Sequence, residues 1–116
     1  MNFFDCAVEG DKAVFGEERV SVDPTMAEAA RQTGASRLQL GIRPGLIRPA
    51  TGDEPAHTVK VDKVEDLGDY ELVTGHLGGQ PIHVRLEESE KIDSDGLRVV
   101  FPVDNALLYA DDKLVG

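Results

Sequence analysis

The chain has 116 residues, enough for one domain or for two very small ones that share a core. It carries 12 Lys and Arg against 22 Asp and Glu, and this net charge of −10 argues against electrostatic binding to nucleic acid or to anionic lipid. No residue is Trp and only 5% are aromatic, so the core must consist mainly of Val, Leu, Ile and Ala.

The N-terminal part predicts short strands followed by one helix. Residues 3–8 and 13–15 read as strands joined at Gly10-Asp11, and residues 17–22 as a third. Asp23 and Pro24 then predict a helix near 24–33, because Asp is a favoured N-cap and Pro a favoured first helical residue.

The next segment predicts a strand that runs into a rigid corner. Apolar residues alternate over 38–42, which is typical of a strand with one buried face. Pro44 ends the strand and biases Arg43 to an extended conformation. Gly45 permits a bend, and Pro49 begins a second turn.

The C-terminal half predicts further strands at regular spacing. The strand at 58–65 contains a bulge near Asp62-Lys63, because Val64 is out of phase with the valines before it. Gly78-Gly79 is a strong hairpin signal, and residues 87–95 form a polar loop with an acidic run at 87–90. The other predicted strands are 70–77, 82–86, 97–101 and 107–109. The total of about nine short strands predicts an all-β barrel or sandwich.

Four segments resemble one family in the expected order. Leu40-Gly41-Ile42-Arg43-Pro44 resembles the Gly-Ile-Arg-Pro-Glu signature of the C-terminal regulatory domain, often called TOBE, of ATP-binding subunits of sugar-type ABC importers. Residues 1–3, residues 64–69, and residues 100–102 with 107–109 are similar to the family's other segments. Two departures are Gly45, where the family usually has Glu, and the stretch 106–109, which lacks the usual His.

The resemblance implies a single domain over residues 1–116 with a small OB-like β-barrel fold. It also implies that the nucleotide-binding domain, with its ATP and Mg, belongs to the rest of a longer subunit, so that no cofactor is expected in this chain. The residues that it marks as motif or interface candidates are Gly41, Arg43, Pro44, Leu46, Leu67, Gly68 and Tyr70.

The function implied by the resemblance is regulatory and dimer-stabilising. The expected partners are the chain's own ATPase domain, the same domain of a second subunit, the membrane subunits indirectly, and a regulatory protein in some family members. The expected location is cytoplasmic, on the inner face of the membrane through the parent transporter. No catalysis is expected, because the chain has no Gly-Lys pair of the kind that a nucleotide-binding loop requires.

Two other function classes compete with this interpretation. One is a small-ligand sensor, since related β-barrel modules bind oxyanions such as molybdate. The other is an OB-fold nucleic-acid protein, which would need a positive, aromatic-lined groove that the charge balance opposes.

For each of the remaining reactive residues, a structural role is favoured over a functional one. His57, His76 and His83 are too scattered for a closed metal site, although the last two could approach each other across the hairpin. Cys6 is expected to be a small buried hydrophobe. The basic cluster Arg37, Arg43 and Arg48 is expected to lock the corner by a salt bridge or a carbonyl cap, with contact to a partner subunit or an anionic effector as the alternative.

Overall fold

The structure, a computed structural model, describes residues 1–87 and 96–115. Over these residues the chain forms two curled antiparallel sheets that together make a half-barrel, with one short helix. The prediction of a small, OB-like all-β fold is therefore confirmed. The strands are β1 (Asn2–Glu9), β2 (Lys12–Phe15), β3 (Glu18–Ser21), β4 (Leu38–Ile42), β5 (Arg48–Pro49), β6 (His57–Asp66), β7 (Tyr70–Leu77), β8 (Gln80–Glu87), β9 (Leu97–Val100), β10 (Leu107–Ala110) and β11 (Lys113–Leu114).

The first sheet has six strands in the order β11-β10-β4-β1-β2-β3, and the second has five in the order β5-β9-β6-β7-β8. Strand β4, the apolar strand before the proline corner, lies between β1 and β10. In the second sheet the pairing of β6 with β7 shifts register between Val61 and Lys63, which confirms the predicted bulge.

The helix, α1 (Pro24–Gln32), forms for the reasons that its first residues suggest. The Asp23 carboxylate accepts hydrogen bonds from the backbone N–H groups of Thr25 (2.8 Å) and Met26 (3.2 Å), which satisfies two of the free donors of the first turn. Ala27 and Ala30 are buried, so this face packs on the sheet. No helix within residues 1–87 and 96–115 is long and apolar enough to cross a membrane.

The described residues contain eleven strands rather than about nine, because two pairs of residues form very short strands. Strand β11 follows a tight turn at Asp111 and Asp112, whose φ angles are 48° and 71°. Two aspartates are a weaker turn signal than Asn-Gly or Gly-Gly. Strand β5 includes Pro49, for which the sequence predicts a turn. The strand lies at the edge of its sheet, where Pro is tolerated.

The core lies between the two sheets and is mainly aliphatic, as the composition predicts. Its aromatic centre is Phe4 of β1, which is fully buried. The ring of Phe4 stacks on Phe15 of β2 at 4.8 Å and lies 6.1 Å from Phe101, which follows β9 in the other sheet. These rings join the two sheets through apolar contact, the dominant source of folding free energy.

Two side-chain amides join the sheets through hydrogen bonds, and we call them the amide clamp (Asn2 and Gln80). The Asn2 amide donates to the carbonyl of His83 (2.7 Å) and accepts from its N–H (2.8 Å). The Gln80 amide makes the same reciprocal pair with the backbone of Asp5, at 2.8 Å in both directions. Each amide therefore forms, between β1 and β8, the pair of hydrogen bonds that a neighbouring strand would otherwise form with the backbone.

We expect Asn2→Ala to lower the free energy of unfolding by about 1–3 kcal/mol, because Asn2 is only 4% exposed and its loss leaves two backbone groups of His83 without a partner. Gln32→Ala at the exposed end of α1 is the matched control, with an expected change within about 0.5 kcal/mol. Urea denaturation of both variants measures this difference. Equal losses in the two variants would show that the Asn2 amide does not hold the sheets together.

Candidate functional site

A groove lies between the proline corner and the β7–β8 hairpin, and we call it the corner groove. Its volume is about 600 Å³. Four of the residues singled out from the sequence line it together, and four further residues complete the lining. The first four are Arg43, Pro44, Leu46 and Tyr70, and the others are Gly45, Leu72, Arg85 and Glu87.

Local backbone structure positions one wall of the corner groove. Arg43 is extended, with φ −76° and ψ 141°, as its place before Pro44 predicts. Residues Pro44–Leu46 then form a single 3₁₀ turn, closed by a hydrogen bond from the Leu46 N–H to the Arg43 carbonyl (3.0 Å). The turn leaves Leu46 43% exposed on the rim.

The hairpin supplies the opposite wall. The guanidinium carbon of Arg85 lies 3.9 Å from the centroid of the Tyr70 ring, a cation–π contact. In the antiparallel register Tyr70 is opposite Glu87, and Leu72 is opposite Arg85. The corner groove is thus lined by two arginines, whose guanidinium groups have the fork geometry that matches carboxylate and phosphate.

The structure places the other motif residues outside the corner groove. Leu67 and Gly68 form the turn between β6 and β7, where Gly68 has a φ of +95° and its N–H donates to the Asp66 carboxylate at 3.0 Å. Leu67 is 47% exposed at this turn. It therefore lies on the surface near Tyr70 but does not line the groove.

Gly41 is buried in β4 beneath two aromatic rings. Phe3 and Tyr109 meet edge to face above it, with ring centroids 5.2 Å apart. A Cβ atom at position 41 would lie only 2.7 Å from Cε2 of Tyr109. Gly41 is therefore needed for packing on the outer face of the first sheet, away from the corner groove.

The three arginines around the corner have different partners. Arg37 pairs with Asp5 (3.2 Å) and Asp112 (3.5 Å), and Arg48 pairs with Glu54 (2.7 Å). Arg43 instead lines the corner groove. Among the described residues, the ion pairs expected at this corner thus form at Arg37 and Arg48.

The Arg48–Glu54 pair holds the loop that follows β5. Hydrogen bonds from Arg48, and then from the backbone and hydroxyl of Thr51, lower the pKa of Glu54 from 4.5 to about 2. The same hydrogen bond from Arg48 raises the pKa of its guanidinium. This loop is thus fixed by charge-assisted hydrogen bonds rather than by burial.

The cysteine and the three histidines have structural surroundings. Burial, together with the charge of Asp5, raises the pKa of the Cys6 thiol to about 11, so the thiol is protonated at neutral pH. His76 pairs with Asp62 (2.6 Å) and His83 with Thr74 (3.2 Å), so each ring bonds its own neighbour. His57 pairs with Glu18 (3.1 Å). Most of the predicted acidic run, 88–90, lies outside the described residues.

Arg85 and Glu87 were not selected from the sequence, although a signal for them exists. Gly78-Gly79 makes a two-residue hairpin loop, so Leu77 pairs with Gln80. This register fixes the pairing of all the residues farther from the loop along β7 and β8. Counting back from that loop places Arg85 beside Tyr70. No such local signal brings Arg43 to the same groove, because that contact depends on how the two sheets pack.

Three curated proteins are similar to this chain, whereas no protein-family model matches it. The chain is 30% identical, over 97% of its length, to the sn-glycerol-3-phosphate import ATP-binding protein UgpC 1 of Rhizobium johnstonii, and covers 31% of that protein. It is 30% identical, over 90% of its length, to the protein of the same description from Paraburkholderia xenovorans, and covers 30% of it. A shorter match, 42% identical over 46% of the chain, is to the Cupriavidus pinatubonensis protein.

The chain thus spans about a third of the length of the curated relatives that it matches. Its similarity to ATP-binding proteins of a solute importer extends over nearly its whole length. This agrees with the resemblance to importer ATP-binding subunits that the sequence motifs carry.

We expect Gly41→Ala to lower the free energy of unfolding by about 1–3 kcal/mol, because the added methyl group overlaps the Tyr109 ring. The loss should shrink in a Tyr109→Ala background, where the ring is absent. Gly45→Ala is the control: its Cβ would meet only Cδ of Arg85, at 3.8 Å. A Gly41→Ala cost that is unchanged without the Tyr109 ring would contradict this assignment.

The lowered pKa of Glu54 predicts a pH-dependent contribution to stability. The pKa of Glu54 is about 2 in the folded chain, against an ordinary value of 4.5. Its carboxylate therefore stabilises the fold at any pH above 4.5, and this contribution is lost as the pH falls towards 2. Glu54→Gln should therefore melt at a lower temperature than the unmodified chain at pH 7, and the difference should vanish near pH 2. Asp53→Asn, which removes the same charge from the same loop, should not reproduce this pattern.

Proposed function

We propose that this chain is the C-terminal regulatory and dimer-stabilising domain of the ATP-binding subunit of an ABC importer. The imported solute would be a carbohydrate or a related compound such as sn-glycerol 3-phosphate. The observation that carries the proposal is the similarity over 97% of the chain to 31% of an sn-glycerol-3-phosphate import ATP-binding protein. A domain-sized piece of such a protein is the simplest explanation of that coverage.

The sequence and fold support the same assignment. A mainly β unit without a Gly-Lys pair cannot bind ATP through a phosphate-binding loop. In the proposed arrangement ATP and Mg are bound by a separate nucleotide-binding domain. This chain packs beside that domain on the cytoplasmic face of the membrane and reaches the membrane subunits only through it.

A dimer-stabilising role requires a self-complementary surface, because a two-fold contact uses the same patch on both copies. Two exposed leucines and the half-buried Tyr70 supply one candidate, which we call the corner surface (Leu46, Leu67 and Tyr70). Leu46 is 43% exposed and Leu67 is 47% exposed, although both are large and apolar. Tyr70 closely follows Leu67 along the chain and lines the same groove as Leu46.

We expect the isolated chain to form a dimer at high concentration in a sedimentation series, with an association that Leu46→Asp or Leu67→Asp weakens about tenfold or more. A buried unpaired charge in an apolar contact accounts for that loss. Leu114→Asp is the matched control, because Leu114 is 57% exposed on the edge strand β11, outside the corner surface. A strict monomer, or an equal effect of all three substitutions, would remove the dimer contact from the proposal.

A domain graft tests the wider assignment independently. The matching region of the Rhizobium johnstonii protein is deleted and then replaced by this chain. The deletion should impair sn-glycerol 3-phosphate import, and the graft should restore it at least in part. A graft that folds and is produced at the normal level but restores no import would contradict membership of this class of subunit.

A further inference from the structure

We propose that the corner groove is a binding site for a small organic anion. The ligand's carboxylate or phosphate group lies between the guanidinium groups of Arg43 and Arg85. Its uncharged remainder rests on Leu46 and Leu72, which line the same groove. The proposal does not depend on the transporter role, since it concerns only the residues of this groove.

The corner groove is lined by more basic than acidic side chains, although the chain as a whole is acidic. The chain as a whole has a net charge of −10, yet among residues 1–87 and 96–115 the groove is lined by two arginines and a single carboxylate, that of Glu87. Arg37 and Arg48 are neutralised by ion pairs with Asp and Glu. Within residues 1–87 and 96–115, neither Arg43 nor Arg85 forms such a pair.

Arg85 is held against Tyr70, because its guanidinium carbon lies 3.9 Å from the centroid of the Tyr70 ring, a cation–π contact. Within residues 1–87 and 96–115, the Arg85 side chain donates no hydrogen bond, whereas those of Arg31, Arg37, Arg48 and Arg98 do. The N–H groups of a guanidinium lie in its plane and point outward from its edges. A pre-oriented guanidinium with free edges loses little conformational entropy when it binds a carboxylate or phosphate in a forked arrangement.

Gly45 keeps this arginine accessible. Its backbone lies outside the positive-φ region, and a Cβ atom there would meet only Cδ of Arg85, at 3.8 Å. A glutamate at position 45 would therefore fit and would place a carboxylate beside the Arg85 guanidinium.

The lining also limits the ligand class. A volume of about 600 Å³ is in the range of small-molecule sites. Glu87 repels a second negative group, so a ligand with one anionic end and a neutral remainder fits better than a polyanion. Carboxylate and phosphate both match the guanidinium fork, and the two sources are distinguished by testing one compound of each kind.

The experiment is a titration of the full 116-residue chain, below the concentration at which it self-associates, followed by NMR shifts and calorimetry. The probes are glycerol 3-phosphate and butyrate, with glycerol as the uncharged control, each up to about 20 mM at low salt, which nearly saturates a site with a Kd of ~1 mM. We expect saturable shifts at residues 43–46 and 70–72 with at least one anion and none with glycerol. The stronger probe identifies phosphate or carboxylate as the preferred group.

Five substitutions make the test specific. Arg43→Gln and Arg85→Gln should each weaken binding about tenfold, the usual consequence of losing one charge-assisted hydrogen-bond partner. Gly45→Glu should weaken it to a similar extent by supplying an internal carboxylate, whereas Gly45→Gln, of equal size and no charge, should change it less than threefold. Arg19→Gln, on β3, lowers the net charge by the same amount and should have no effect.

Two results would overturn the proposal. One is the absence of saturable binding by either anion in a chain whose NMR spectrum shows it folded. The other is an equal loss of binding in Arg19→Gln and Arg85→Gln, or in Gly45→Gln and Gly45→Glu. Such equality would indicate non-specific charge screening or simple blockage, not recognition by a pair of guanidinium groups.

Discussion

The fold depends on how two separate sheets are kept in register, and the amide clamp provides that constraint. Asn2 pairs with Ile42 in the backbone ladder of the first sheet while its side chain binds the backbone of His83 in the second. Ile42 immediately precedes Arg43, and His83 lies on the strand that carries Arg85. One buried side chain therefore connects the two walls of the corner groove. The apolar core supplies most of the folding free energy, but apolar contact is non-directional and would not by itself set this spacing.

Close approach at glycine is the second constraint on the sheets. Gly41 lets two aromatic rings meet across the outer face of β4, where any Cβ would collide with Tyr109. Gly75 performs the corresponding task on β7, since a Cβ there would overlap the carbonyl of Lys60 next to the bulge. Both glycines have ordinary φ angles, so the reason for glycine at these positions is space and not backbone conformation.

Local features of the fold could be predicted from the sequence, and contacts between distant segments could not. Apolar alternation located most strands, the Asp23-Pro24 pair located the helix, and the phase of Val64 located the bulge, because each depends on neighbours in the chain. The hydrogen bonds between Asn2 and His83 join residues 81 positions apart, and no periodicity encodes them. The proximity of Arg43 to the β7–β8 hairpin is likewise a contact between distant segments. It follows from sheet packing, which composition and turn signals do not specify.

These contacts separate the roles of neighbouring residues in the Leu40-Gly41-Ile42-Arg43-Pro44 stretch. Gly41 serves packing on one face of the first sheet, and Pro44 directs the chain into its turn. Arg43 is the charged residue of this stretch; it lines the corner groove and has no ion-pair partner within the part of the chain that the structure describes. The next position, Gly45, is where the chain departs from the resemblance. The departure therefore falls in the corner groove, where we propose that an anion binds, and not in the part of the stretch that maintains the fold. A change there can alter the lining of the groove while leaving the β4 strand and its neighbours intact.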